Sequence, residues 1–195
     1  MGSDEYHPIE KKGSNLTEAG GIGYFIVDSI DTMQIMGLQE EYESARNWVA
    51  NKQSFERDGN FNTFEVTTSF PIYAFRELTC PQTTIRVLGG LLSAYHFSDD
   101  DPIFLERAQD LADRLLTAFD TPSGLPKPMV NLKMRTGVNE AGYASLVSTA
   151  EASTLQLELR YLSFLTDNDE YWHKAEKVKY ILFDCYPHLT FPSRS

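Results

Sequence analysis

An all-α fold built from αα-hairpins is what this sequence predicts, on three observations. The stretches Ile22–Met36 and Thr83–Phe97 are apolar nearly all round, the pattern of buried helices. Each is followed by an amphipathic stretch, Leu38–Lys52 and then the run carrying Phe104, Ala108, Leu111 and Leu115. The connections are short apart from one long loop. Such alternation turns one helix of each pair toward an interior and its partner toward solvent. A toroid of inner and outer helices fits, and so does an α-solenoid; no repeat at fixed period stands out, which disfavours the solenoid.

Taken in order, Met1 to about Gly21 is a polar opening that contains Asn15-Leu16-Thr17, an N-glycosylation sequon whose use requires a secretory route. Ile22–Met36 is expected as one buried helix, with Gly37 able to end it. In Leu38–Lys52 the residues Leu38, Tyr42, Ala45, Trp48 and Val49 share a stripe, with Glu40, Glu41, Glu43 and Arg46 outside it. Asp101-Pro102 is a helix start, an N-cap with proline at the first helical position. Thr121–Tyr143 reads as a loop punctuated by Pro and Gly. Ser148–Leu165 and Asp169–Leu182 make the last helical pair.

A chain of 195 residues can bury a good core as one domain. The net charge of −11 argues against nucleic acid or an anionic membrane surface as partner. No apolar run approaches the ~20 residues that span a bilayer, and the polar start Met1-Gly2-Ser3-Asp4-Glu5 is not a signal peptide. Cys80 and Cys185 sit in no metal-ligand spacing and are too few for a disulfide scaffold.

One segment does not belong to the pattern. Val66–Gln82 holds Phe70-Pro71, Arg76 and Cys80-Pro81 without helical or alternating period, and irregular loops of this length are functional or disordered. Valine codons begin GT, glutamine can be CAG, and Leu78-Thr79 can be written with CTAAC, a branch-point sequence. The expectation is therefore a retained in-frame intron. The end, Phe183 to Ser195, likewise lacks a period. The domain expected is residues 1–182, with 66–82 an irregular insertion and 183–195 an irregular tail. Both cysteines fall within these foreign segments, so no Cys80–Cys185 disulfide is expected.

With Val66–Gln82 removed the chain reads Phe64-Glu65-Thr83-Thr84-Ile85-Arg86, then an apolar helix marked by Gly89-Gly90. Glu65 and Arg86 then stand four residues apart on one helix face, where carboxylate and guanidinium can meet. That string resembles a signature of glycoside hydrolase family 47, the class I α-1,2-mannosidases. So do Asp4-Glu5-Tyr6-His7-Pro8, Gly20-Gly21-Ile22-Gly23, Val27-Asp28-Ser29-Ile30-Asp31-Thr32-Met33, the turn Phe119-Asp120-Thr121-Pro122-Ser123-Gly124, and Ala150-Glu151 through Leu155-Gln156-Leu157-Glu158. Each is weak alone; in this order they are specific, and they cover most of residues 4–178.

The resemblance implies part of an (α/α)7 barrel, incomplete here. Such a barrel removes terminal α-1,2-linked mannose from high-mannose N-glycans, with inversion and with Ca2+, in the endoplasmic reticulum or Golgi. Glu65 matches the family's general acid. Inverting glycosidases need one carboxylic acid to protonate the leaving oxygen and a second carboxylate to activate water across the ring. Without the resemblance Glu65 is an ordinary first-turn glutamate favoured by the helix dipole. Arg86 matches a substrate-contacting arginine; its plain alternative is a helix salt bridge. Glu151 matches a glutamate at the sugar subsite, while Ser148-Thr149-Ala150-Glu151 is also a capping box.

Asp28 and Asp31 read as structural carboxylates that need partners. His7, His96, His173 and His188 share no metal spacing, and no metal ligand is assigned within this chain. The family's other catalytic carboxylates and its calcium-binding threonine belong to later segments than these. The chain thus resembles the first part of the domain, and as a fragment it is expected to be inactive and to leave apolar inner faces open. Two other readings remain: a non-catalytic mannose-binding or quality-control module of the same ancestry, and a structural helical-repeat interaction protein.

Overall fold

A computed structural model describes residues 2–63, 83–139 and 147–185. The chain begins with a hairpin, β1 (Glu5–His7) against β2 (Lys12–Ser14), and continues into α1 (Tyr24–Val27), α2 (Ile30–Ile35) and α3 (Gln39–Asn51). Beyond β3 (Asn60–Asn62), a π-helical stretch at Thr83–Leu88 runs straight into α4 (Gly89–Phe97). Then come α5 (Pro102–Leu115), a 3-10 turn at Leu116–Phe119, β4 (Met129–Asn131), β5 (Thr136–Val138), α6 (Thr149–Ala152), α7 (Gln156–Thr166) and α8 (Asp169–Cys185).

The helices form two rows. Helix α4 packs on α2 to one side and α7 to the other, making an inner row. Each inner helix has a companion outside it: α3 behind α2, α5 behind α4, α8 behind α7. The core lies between the rows, where Phe55, Phe61, Phe104, Leu88, Leu91, Leu111, Leu115 and Tyr171 are almost fully buried. No described helix is long and apolar enough to cross a membrane.

Several expectations are met in detail. The Asp101 side chain accepts the Ile103 N–H at 3.2 Å with Pro102 at the first helical position, and it also pairs with Arg46 of α3. The α5 stripe of Phe104, Ala108, Leu111 and Leu115 is buried. Gly37, at φ 68°, ends α2 in the left-handed conformation that glycine adopts without steric cost.

Other expectations are corrected. Ile22–Met36 is not one buried helix but α1 and α2, broken at Asp28-Ser29. The Ser29 hydroxyl donates to the Phe25 carbonyl at 2.6 Å, a back-bond that bends helices. The far end of α2 is open, with Ile35 69% and Met36 66% exposed. Ser148–Leu165 is likewise two helices: the Ser153 and Thr154 hydroxyls donate to the carbonyls of Ala150 and Glu151, which the next turn would otherwise have used. Within the loop expected at Thr121–Tyr143, β4 and β5 form a hairpin with β3 added alongside, order β3-β4-β5. Cross-strand pairing, local between β4 and β5 and distant in sequence between β3 and β4, creates those strands, not single-strand propensity. Helix α8 runs past Leu182 to Cys185. The cysteine pair lies outside the described residues: Cys80 wholly, Cys185 by its side chain.

Two polar clamps tie together segments distant in sequence. Asp4, only 4% exposed, accepts the N–H groups of Ile22, Gly23 and Tyr24 on one carboxylate oxygen and that of Leu16 on the other. It thereby gathers the unpaired donors at the start of α1. Arg114 of α5 has a buried side chain whose guanidinium donates to the carbonyls of Phe55 (3.1 Å) and Leu132 (2.9 Å) and to the carboxylates of Glu56 and Asp110. The two carboxylates are partly solvated. Removing the guanidinium therefore strands chiefly the two carbonyls. Arg114→Met is expected to lower stability by about 2–4 kcal/mol, the cost of two unpaired buried acceptors. Urea unfolding measures it, and a loss near zero would show the clamp to be dispensable.

Candidate active-site cleft

The inner row frames an open cleft of about 560 Å³ between α2, α4 and α7. Asp28 and Asp31 line it from one side, Gly89, Gly90, Ser93 and His96 from the floor, and Leu157, Glu158 and Tyr161 from the other side. Gly90 allows this closeness. A Cβ on Gly90 would meet the Val27 carbonyl and Cγ1 at 3.0 Å, and a Cβ on Gly89 would reach ordinary contact with the Glu158 side chain at 3.7 Å.

The polar groups are organised. The Ser93 hydroxyl donates to Asp31 Oδ2 at 2.8 Å while Asp31 Oδ1 accepts the Thr32 N–H. Arg86 Nη1 donates to Asp28 Oδ2 at 2.9 Å, an ion pair that joins α4's approach to the break after α1. Tyr161 and His96 approach at 3.3 Å. Asp28 and Asp31 thus have the partners expected of them, although Asp28 is on the surface and not in the core. Glu158 is different. Its Oε2 is buried without a hydrogen-bond partner among the described residues. Burial pushes its carboxyl above the ordinary glutamate range, offset in part by a backbone hydrogen bond.

Of the residues singled out in the sequence, Arg86 stands beside the cleft through its bond to Asp28. Glu151 sits on the single turn α6, half-buried, with its N–H donated to the Ser148 hydroxyl at 3.5 Å, one half of the capping box. Glu65 lies outside the described residues. The described residues on either side of 64–82 meet: the Thr84 hydroxyl donates to the Thr63 carbonyl at 2.6 Å. With Val66–Gln82 removed these would be residues i+4 and i, the spacing at which a helical threonine bonds back to the preceding turn. Sequence reasoning passed over Glu158, Ser93, His96 and Tyr161 as site residues. The available signal was a glutamate set between Leu157 and Leu159, seven residues after Glu151.

An arc of paired inner and outer helices with carboxylates turned into its hollow fits part of a helical toroid, and comparison with known proteins makes this specific. The profile of glycosyl hydrolase family 47 matches residues 1–70 and 75–190. The chain belongs to that family. The break in the match, at 71–74, falls inside Val66–Gln82. An endoplasmic reticulum mannosyl-oligosaccharide 1,2-alpha-mannosidase of Schizosaccharomyces pombe is 45% identical over 181 residues, which is 93% of this chain and 31% of that protein. A mannosyl-oligosaccharide 1,2-alpha-mannosidase of Candida albicans is also 45% identical, over 93% of this chain and 29% of its own length. The solved alpha-1,2-mannosidase from Trichoderma reesei superposes with a TM-score of 0.73 at 31% identity, covering 94% of this chain and 36% of that one. The fold is accordingly all-α, a partial (α/α)7 barrel, and the chain spans about a third of the relatives it matches. Membership sets aside the reading as an unrelated helical-repeat protein.

The raised Glu158 carboxyl has a measurable consequence. A folded state that holds the proton more tightly than the unfolded chain loses stability as pH rises from the ordinary glutamate range through the folded pKa. Glu158→Gln removes that slope. Its melting temperature should match the parent near pH 4 and exceed it increasingly toward pH 7; a difference constant with pH would mean that Glu158 is not desolvated.

Proposed function

We propose that the chain is the first part of an α-1,2-mannosidase catalytic domain. The whole domain removes terminal α-1,2-linked mannose from high-mannose N-glycans, with inversion, in the endoplasmic reticulum or Golgi. The observation that carries the reading is the joint between Thr63 and Thr84, with Arg86 two residues further on held by Asp28 at the cleft. It supports Glu65 as a residue at the mouth of the helix that floors the cleft, where its carboxylic acid protonates the glycosidic oxygen. Arg86 and Glu151 are the substrate-contacting partners in this reading. The names of the relatives supply the substrate class.

The cleft suits a polyhydroxylated ligand, since carboxylates, a hydroxyl and an imidazole are spread over a wall that is otherwise apolar. The bound sugar would compete for hydrogen bonds that Asp31 and Ser93 now make with each other. Calcium, implied by the family, needs many oxygen ligands. Among the described residues no three Asp, Glu, His or Cys side chains group around one point. The described part does not fit the ion, and no step here uses it.

An inverting reaction also needs a second carboxylate poised on a water across the sugar ring, at about 6.5–9.5 Å from the acid. The chain alone is accordingly expected to release no mannose from an α-1,2-mannobiose probe. Release by the purified chain would overturn the fragment reading. In a version extended in frame to the length of the relatives, Glu65→Gln should lower kcat by about 10²–10⁴-fold, the range for losing a general acid. Unchanged turnover would remove Glu65 from the reaction.

The insertion has its own test. Residues Val66–Gln82 are held to be a retained intron, so the mature transcript should join the codons of Glu65 and Thr83. A sole transcript that still encodes the segment would refute this.

A further inference from the structure

We propose that Asn15 is an N-glycan acceptor that is modified before the amino-terminal segment folds. The proposal rests on the secretory location given above, but not on catalysis. Asn15-Leu16-Thr17 is the one Asn-x-Ser/Thr triplet in the sequence, so occupancy can be read without ambiguity. Asn15 follows β2 directly and is exposed.

The rest of the triplet is tied down in the folded chain. The Leu16 N–H donates to Asp4 Oδ2 at 3.2 Å, and the Leu16 side chain packs against the core. The Thr17 hydroxyl donates to the Gly20 carbonyl at 3.0 Å, and the Gly20 N–H returns to the Thr17 carbonyl. Serine and threonine share only the hydroxyl among the features of the motif, so that hydroxyl is what the transferase reads. In the native turn it is engaged. The acceptor form is therefore the chain before Asp4 gathers the donors of Leu16, Ile22, Gly23 and Tyr24.

In the transfer step the Asn15 amide nitrogen attacks C1 of the first N-acetylglucosamine of a lipid-pyrophosphate-linked oligosaccharide. The N–C1 bond forms and the C1–O bond to pyrophosphate breaks. Lipid pyrophosphate departs with the electron pair, and the amide proton passes to a base of the transferase. Nothing is oxidised or reduced.

The test translates the full chain behind a cleavable leader into microsomes and analyses only the protease-protected chain. Wild type should show a mobility shift that N-glycosidase removes. Asn15→Gln and Thr17→Ala should abolish it, and Thr17→Ser should retain it. Protected wild-type chain without the shift overturns the proposal. In a second arm, solubilised transferase and lipid-linked oligosaccharide are given either folded chain or chain diluted from denaturant. The latter should take up at least about tenfold more glycan, since the folded triplet reacts only through local opening; equal uptake overturns the ordering. Neither arm depends on mannosidase activity, so both can fail or succeed without bearing on the cleft.

Discussion

The distance between α4 and its neighbours governs the rest of this molecule. Gly90 lets the helix lie against the Val27 backbone, while on the other side a Cβ on Gly89 would meet the Glu158 side chain only at ordinary contact distance. A methyl group at the first position would have to displace a carbonyl, which is not the flexible end of any side chain. Because α4 sits so close, the carboxylates of α2 and α7 face one hollow, and Arg86 reaches Asp28 across the seam. Helix spacing and site chemistry are thus one constraint.

The family string was legible because each of its parts has a local reason to exist. The proline-led start at Asp101 and the α5 stripe followed from capping and period alone, and both are found in the structure. Asp28 and Asp31 announced themselves as carboxylates in an apolar stretch in need of partners. What could not be read were the interactions between residues far apart in sequence. The Asp4 clamp joins residues up to 20 apart, and Arg114 reaches Phe55 across 59. The strands β3 to β5 exist only through their mutual register. The breaks at Ser29 and at Ser153-Thr154 depend on which carbonyl a hydroxyl selects, a choice that composition does not reveal.

The site divides in the same way. Arg86 and Glu151 came from a matched string; Arg86 stands beside the hollow through Asp28 and Glu151 lies on the single turn α6, whereas Glu158 is recognised by environment. A buried oxygen without a partner is a property of packing. The sequence shows only a glutamate among leucines. Glu65 belongs to neither group, since its own position is outside the described residues and only the meeting of Thr63 with Thr84 speaks for it.

Helix α7 has α4 and α8 on two sides, yet Leu157 is 77% and Phe164 80% exposed along a third. By contrast α5 is enclosed by α3, α4 and α7, with its apolar stripe sealed. Amide protons beneath the buried stripe of α5 should then exchange more slowly than those on the uncovered flank of α7, which need only a local fluctuation. The arc carries a gradient of exchange lifetimes from its middle to its rim, and the Glu158 side of the hollow stands on the more labile ground.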